Sequence, residues 1–416
     1  MDKAKADIWV YAHWAGMKAP RCIGILSAHF GKGRKSFSFE YDKDWISSGE
    51  QMLLDPDLGW YSGQQYPNNK GNFGVFLDSM PDSWGRTLMQ RREPQRAREE
   101  RREPRKLHDT DFLLGVYDES RMGALRFKLD PEGPFLDVAT GTTVPPWTSL
   151  GELQEAVRAI ESNDDDEHVR DWIKLLFAPG TSLGGARPKA NFTDRANDLW
   201  IAKFPSGSDV TDKAAWEFLA YRLAVKAGIS MADSRISKIS GDHNTFLTKR
   251  FDRIKKERVH YASAMTMTGY EEENLRDIKA SYLEIAEFIK FSGASNREDL
   301  HQLWKRIIFS ISISNTDDHL RNHGFLLNGE GWRLSPAFDI NPSLEKHGLA
   351  LNIDTDNNAL DLDLARSVGE FFMLDIGSMD KIISEVKFVV SDWRKYASSI
   401  GIPKAEQEMM TPAFRF

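Results

Sequence analysis

The sequence predicts an α+β fold, strand-rich at first and mainly helical in its last third. Three observations carry that expectation. CIGILSAHF (22–30) and KSFSFEY (35–41) are apolar or alternating runs, the pattern of buried or half-buried strands. From Tyr282 onward, SYLEIAEFIKFSG and EDLHQLWKRIIFSISISN are helical in length and spacing. The 416 residues exceed what one hydrophobic core usually covers, so two or three lobes are expected.

The elements follow in chain order. The two early strands are joined by GKGRK (31–35), a hairpin-like junction. NFGVFLDSMPDSWGRTLMQRRE (72–93) reads as a turn entering a helix that Ser79 or Asp82 caps. RREPQRAREERREPRK (91–106) interleaves both signs of charge with two prolines. It reads as a solvated helix end and a loop, with a nucleic-acid-contacting patch as the alternative. DPEGPFLDVATGTTVPPW (130–147) is the linker candidate. Leu150, Leu153, Val157 and Ile160 keep helical spacing behind Ser149, a candidate cap. Asp164–Glu167 is an acidic turn. ANFTD, DLWIAKFP and NTFLTKRFDR read as strands. The amphipathic DKAAWEFLAYRLAVKAGI ends at Gly228, a C-terminal cap. A strand-rich region with one helix before a helix-rich region is the layout of a two-lobed phosphotransferase.

Composition narrows the function classes. Hydrophobic residues make up 41% and charged residues 28%, as in soluble globular chains. A net charge of −7 argues against binding nucleic acid through overall charge. One cysteine, Cys22, excludes an intrachain disulfide and fits a reducing compartment. MDKAKADIWVYAHWAG lacks an apolar leader core, and no run approaches the ~20 apolar residues of a membrane span. The expected location is the cytoplasm, with no membrane contact.

Three motifs carry candidate chemistry. NTDDHLRNHGFLL (315–327) crowds costly polar groups between apolar runs. Asp317 and Asn322 lie five positions apart, and Asp339 follows in LSPAFDINPS. Phosphoryl transfer needs a carboxylate to orient the attacking hydroxyl and oxygen ligands for Mg²⁺. The order Asp-x-x-x-x-Asn, hairpin, Asp supplies these, with Asn328-Gly329 as the hairpin turn. A solvated turn is the bland alternative. A metal hydrolase built on Asp317, His319, Asn322 and His323 is another, although the His-Glu-x-x-His helix is missing. His319 is read as a residue that hydrogen-bonds and braces the loop. The second motif is TSLGGARPKA (181–190), where Gly184 and Gly185 bring backbone N–H groups to phosphate, flanked by Ser182 and Lys189. The third is Lys203, on an apolar strand, as the lysine that holds the α- and β-phosphates. Glu217 on the next helix is a candidate partner for it.

SLGGARPKA, IAKFPS, TKRFDR, NTDDHLRNHGFLL and LSPAFDINP, in this order, resemble the HipA family of bacterial Ser/Thr kinases, the toxin halves of toxin–antitoxin pairs. FGVFLDSMPDSWGR extends the resemblance upstream. It implies a bilobal protein-kinase-like core behind a strand-rich N-terminal subdomain. The parts would be 1–140 for that subdomain, 141–255 for the kinase N-lobe and 256–416 for the helical C-lobe. It further implies Asp317 as catalytic aspartate, and Asn322 and Asp339 as Mg²⁺ ligands. Gly184, Gly185, Lys189, Lys203 and His319 would serve ATP, with backbone at Lys249 and Phe251 meeting adenine. Ser182 would be the autophosphorylated serine. Asp318 stands where some relatives carry Arg, so the resemblance gives it no charge-pair role. The implied partners are a small helix-turn-helix HipB-like antitoxin, operator DNA mainly through it, and a protein substrate among translation components, such as an aminoacyl-tRNA synthetase. A small-molecule kinase on the same scaffold and a non-catalytic co-repressor scaffold for a DNA-binding antitoxin remain as alternatives.

Overall fold

The computed structural model describes residues 5–31, 34–136, 144–162, 176, 185, 187–272, 275 and 278–416. The chain forms two compact units, Met1–Gly207 with Asp252–Ala262, and Ser208–Phe251 with Ser263–Phe416. Helix and sheet both contribute, as expected for an α+β chain. Among the described residues, no helix is long and apolar enough to cross a membrane.

The first unit is built on a five-stranded sheet. The strands are β1 (Lys5–Ala12), β2 (Arg21–Gly31), β3 (Arg34–Tyr41), β4 (Gln64–Gln65) and β5 (Leu125–Lys128), in spatial order β4-β3-β2-β1-β5. Alternation decides the buried face. Ile8, Val10 and Ala12 of β1 meet Phe37 and Phe39 of β3 in one core with Phe73, Phe76 and Phe127. The β1–β2 register slips between Val10 and Tyr11. Gly24 sits at that slip, where an added Cβ would lie 2.3 Å from the Glu40 carbonyl oxygen. Only glycine allows so close an approach of two backbones.

Asp82 caps the helix Ser83–Glu99, its Oδ1 accepting from the Gly85 N–H at 2.8 Å. The helix ends inside the charge-dense stretch 91–106, as expected, after running through Pro94. A proline inside a helix loses one backbone bond. The chain answers by folding back on the helix. Arg102 pairs with the buried Glu93, and the Arg105 N–H donates to Glu93 at 3.1 Å. Arg121 is fully buried; it donates to the carbonyls of Ser79, Leu113 and Val116 and lies over the Phe127 ring. The helix Leu150–Glu161 forms on the expected apolar spacing, but Ser149 makes no side-chain cap bond, because the chain enters through a 3-10 turn, Trp147–Ser149. The acidic turn 164–167 lies outside the described residues. Lys189–Thr193 and Leu199–Lys203 pair as an antiparallel hairpin.

The second unit opens with the helix Lys213–Lys226, capped by Asp212 and closed by Gly228 at φ +77°. Ser234–Ser237 and Thr245–Lys249 form an antiparallel hairpin. The helix Tyr282–Ser292 starts on a capping box, Ser281 with Glu284. Next comes the long helix Asn296–Ile313, whose last turn is wholly buried. The hairpin Gly324–Asn328/Gly331–Leu334 follows, its turn held by Asn328 Oδ1, which accepts from the N–H groups of Glu330 and Gly331. Helices Ile376–Ser391, Trp393–Ile400 and Lys404–Met410 complete the unit.

Candidate functional site

The polar stretch 315–327 gains its shape from the end of the helix Asn296–Ile313. Ser314 takes a left-handed conformation at φ 52° and breaks the helix. It is held there from the far end of the chain: its Oγ donates to the Ala413 carbonyl at 2.8 Å and accepts from Arg415 Nε at 3.2 Å. Asn315 is buried, and its side chain spans two segments. Its Nδ2 donates to Ser310 Oγ at 3.3 Å, and its Oδ1 accepts from the Asn341 N–H at 3.1 Å. Ser343 N–H donates to the Ser314 carbonyl at 3.0 Å. These rungs fasten the segment after Asp339 to the loop that carries Asp317.

Asp317 and Asp339 therefore stand on two loops bound to one another. Asp317 is exposed, with 71% of its side-chain surface open. Asn322 is buried and donates its Nδ2 to the Asp317 carbonyl at 3.0 Å, which leaves its side-chain oxygen as the remaining group. Asp339 has φ 57°, the left-handed region, where a non-glycine residue is uncommon and held by its surroundings. Asn341 Nδ2 lies 3.4 Å from its carboxylate. Immediately upstream, Ala337 N–H donates to the Ser230 carbonyl at 2.8 Å, and the rings of Phe338 and Phe251 pack 5.5 Å apart. So Phe251, expected at the adenine, sits one residue from the Asp339 turn. Lys249 uses its backbone N–H on the Asp233 carbonyl at 2.8 Å.

His319 braces the loop through its backbone: its N–H donates to the Asp317 carbonyl, and its own carbonyl accepts from Asn322. The expected ring hydrogen bond is not made at Nδ1, which is buried with no partner among the described residues. The charge centre of the loop is instead Asp318. It is buried and accepts from Tyr282 OH at 2.6 Å and Ser310 Oγ at 3.3 Å, with His323 Nε2 at 2.9 Å. Burial alone would raise its pKa. The charge and contact of His323 and the Tyr282 hydroxyl outweigh burial and hold it below the usual carboxylate value. Burial drives Arg306 down to about 10, opposed by Asp318 and Asp299. Asp318 thus has a charge role of its own.

The remaining expected residues fall in the first unit. Lys189 and Lys203 are directly opposed across their hairpin. Lys189 is 3% exposed; its ammonium lies 2.8 Å from Asp82 and donates to the Gly185 carbonyl at 3.2 Å. It faces a buried carboxylate rather than solvent. Gly185 has φ 103°, in the left-handed region that favours glycine. Lys203 is half-buried at its strand end. Ser182 and Gly184 lie outside the described residues.

Sequence reasoning missed three site residues. Asn315 and Asn341 stand inside the motifs NTDDHLRNHGFLL and LSPAFDINPS, but nothing there gives either a role. Lys346 lies in a stretch without helix or strand, and its Nζ donates to Asp317 Oδ1 at 3.1 Å. Among the described residues, no three His, Cys, Asp or Glu side chains are grouped to hold a metal by themselves.

Comparison with known proteins adds the following. A family model described as HipA-like C-terminal domain matches residues 181–393. A Haemophilus influenzae protein described as a putative kinase is 25% identical over 187 residues, covering 40% of this chain and 54% of that protein. The chain thus spans about half the length of this curated relative. A solved complex of HipA, HipB and operator DNA from the Shewanella oneidensis MR-1 toxin–antitoxin system matches with TM-score 0.66 and 17% identity, covering 98% of this chain and 94% of that one. The fold is therefore HipA-like. The Helicobacter pylori proinflammatory kinase CtkA matches at TM-score 0.34 and 12% identity over 51% of this chain and 94% of that one, too low to bear on the fold.

Proposed function

The chain belongs to the HipA family, and from that premise we propose that it is an ATP- and Mg²⁺-dependent protein serine/threonine kinase, the toxin of a toxin–antitoxin pair. The observation that carries the reading is the fastening of the Asp317 loop to the Asp339 turn through Asn315 and Asn341. Two carboxylates far apart in sequence are thereby kept on adjoining loops.

In this reading Asp317 orients the acceptor hydroxyl. An ordinary aspartate, with a pKa near ~3.9, is a weak base toward an alcohol. A loose, metaphosphate-like transition state needs little early proton removal, so orientation is the main task. The side-chain oxygen of Asn322 and the Asp339 carboxylate are hard oxygen donors. They fit Mg²⁺, which takes one or two protein ligands and fills the rest with phosphate and water. Held by Asn322 and Asp339, the ion would supply charge compensation to the phosphates. Lys203 holds the α- and β-phosphates. The loop around Gly184 and Gly185 covers them, with Lys189 securing its base through Asp82. Adenine meets backbone at Lys249 and Phe251, where the Lys249 N–H is bonded to the Asp233 carbonyl. Ser182 is the autophosphorylation site. The functional parts remain 1–140, 141–255 and 256–416.

The Shewanella HipA occurs with HipB and operator DNA. By that likeness we assign this chain a HipB-like helix-turn-helix antitoxin, DNA contact mainly through it, a cytoplasmic location, and a translation-related protein substrate. The test is phosphate incorporation from labelled ATP with Mg²⁺, followed by peptide mapping. Label on Ser182 that disappears in Asp317→Asn, with nucleotide binding kept, is the expected result. Equal incorporation by both proteins removes Asp317 from the mechanism.

A further inference from the structure

The segment after Asp339 does more than hold a turn. Asn341 and Ser343 tie it to Asn315 and Ser314. Ser343 Oγ then accepts from the Glu345 N–H at 3.1 Å, which curls the chain back on itself. The curl returns Lys346 to the Asp317 carboxylate, Nζ to Oδ1 3.1 Å. Both side chains are open to solvent, 54% and 71%. An exposed pair of this kind adds little to stability, so fold energetics do not account for it.

Resting on the kinase reading above, we propose that Lys346 is the cationic subsite for the phosphoryl group in transit, beside the hydroxyl that Asp317 orients. The bond from the γ-phosphorus to the β–γ bridging oxygen breaks, and its electron pair stays on ADP. A new bond forms from phosphorus to the acceptor oxygen. The hydroxyl proton passes to the Asp317 carboxylate and on to solvent. The group in transit carries its charge spread over three equatorial oxygens and moves toward the acceptor, so a cation set beside the acceptor stabilises the transition state more than bound ATP. Lys346 is in place before nucleotide arrives, so little reorganisation is needed.

The test compares wild type with Lys346→Met and Lys346→Arg in three measurements: initial phosphate incorporation from labelled ATP into the chain itself, ADP affinity by calorimetry, and melting temperature. The expected loss in Lys346→Met is about 100-fold in rate, with ADP affinity within about twofold and an unchanged melting temperature. Lys346→Arg is expected to recover at least a tenth of the rate. An undiminished Lys346→Met rate overturns the proposal while the kinase reading stands. So does a faster one, which would make Lys346 a latch on Asp317. Wild type without incorporation removes the kinase reading and this subsite together.

Discussion

Acid should destabilise the first unit through His260. This ring is fully buried and stacks on Trp14, centroids 5.7 Å apart. Burial pushes its pKa from 6.5 to about 3. Between those values the unfolded chain binds a proton that the native ring refuses, so stability falls as pH drops below 6.5 and the loss levels off near 3. Each pKa unit is worth about 1.36 kcal/mol. At pH 4 the penalty works out at about 3 kcal/mol, a large share of the ~5–15 kcal/mol that folded proteins hold in reserve. His260→Phe keeps an aromatic ring against Trp14 and cannot be protonated. Urea denaturation followed by circular dichroism from pH 7 to 4 is the assay. Carboxylate effects are common to both proteins, so the difference in pH dependence isolates the imidazole. Wild type should lose about 3 kcal/mol more than the variant over that range. Parallel pH profiles, within about 0.5 kcal/mol of one another, would refute the reasoning.

Two further outcomes follow from buried charge. Lys189→Met leaves the Asp82 carboxylate buried without its cation and should lower stability by about 3–5 kcal/mol in urea titration. Adding Asp82→Asn should restore part of the loss, as coupled partners do. Asp318→Ala strips the acceptor from Tyr282 and the counter-charge from Arg306. A loss of about 3 kcal/mol in thermal denaturation is expected, and a smaller one for Asp318→Asn, whose amide oxygen still accepts from Tyr282.

Residue patterning made the elements legible. The apolar runs of β2 and β3, the Asp82 cap, the Gly228 terminus and the Asn328 turn all depend on neighbours within a few positions. The chain past Pro94 shows where that stops: Arg102 reaches back nine positions to Glu93, a partner that the mixed charges of 91–106 do not single out. The site divides the same way. Asp317, Asn322 and Asp339 stand out in the sequence as candidates because the proposed chemistry would fix their types and spacing. Asn315, Asn341 and Lys346 act through contacts 26 to 29 positions apart, and common residue types at such separations leave no periodic trace. Asp318 was misread because the resemblance offered no pairing at that position, while its partners, Tyr282 and Ser310, come from two other helices.

The first unit takes in a late segment of the chain, Asp252–Ala262. Its ties are specific: Asp252 accepts from the Gly123 N–H at 2.8 Å, Arg253 donates to the Arg121 carbonyl at 2.8 Å, and Arg258 donates to Asp118. During translation, everything up to Gly207 emerges before these partners exist. At ribosome speeds of about 5–20 residues per second, the nascent unit waits about 3–11 s for its missing piece. Through that interval Asp118 lacks one of its two arginines, and the half-made unit is exposed to chaperones and proteases.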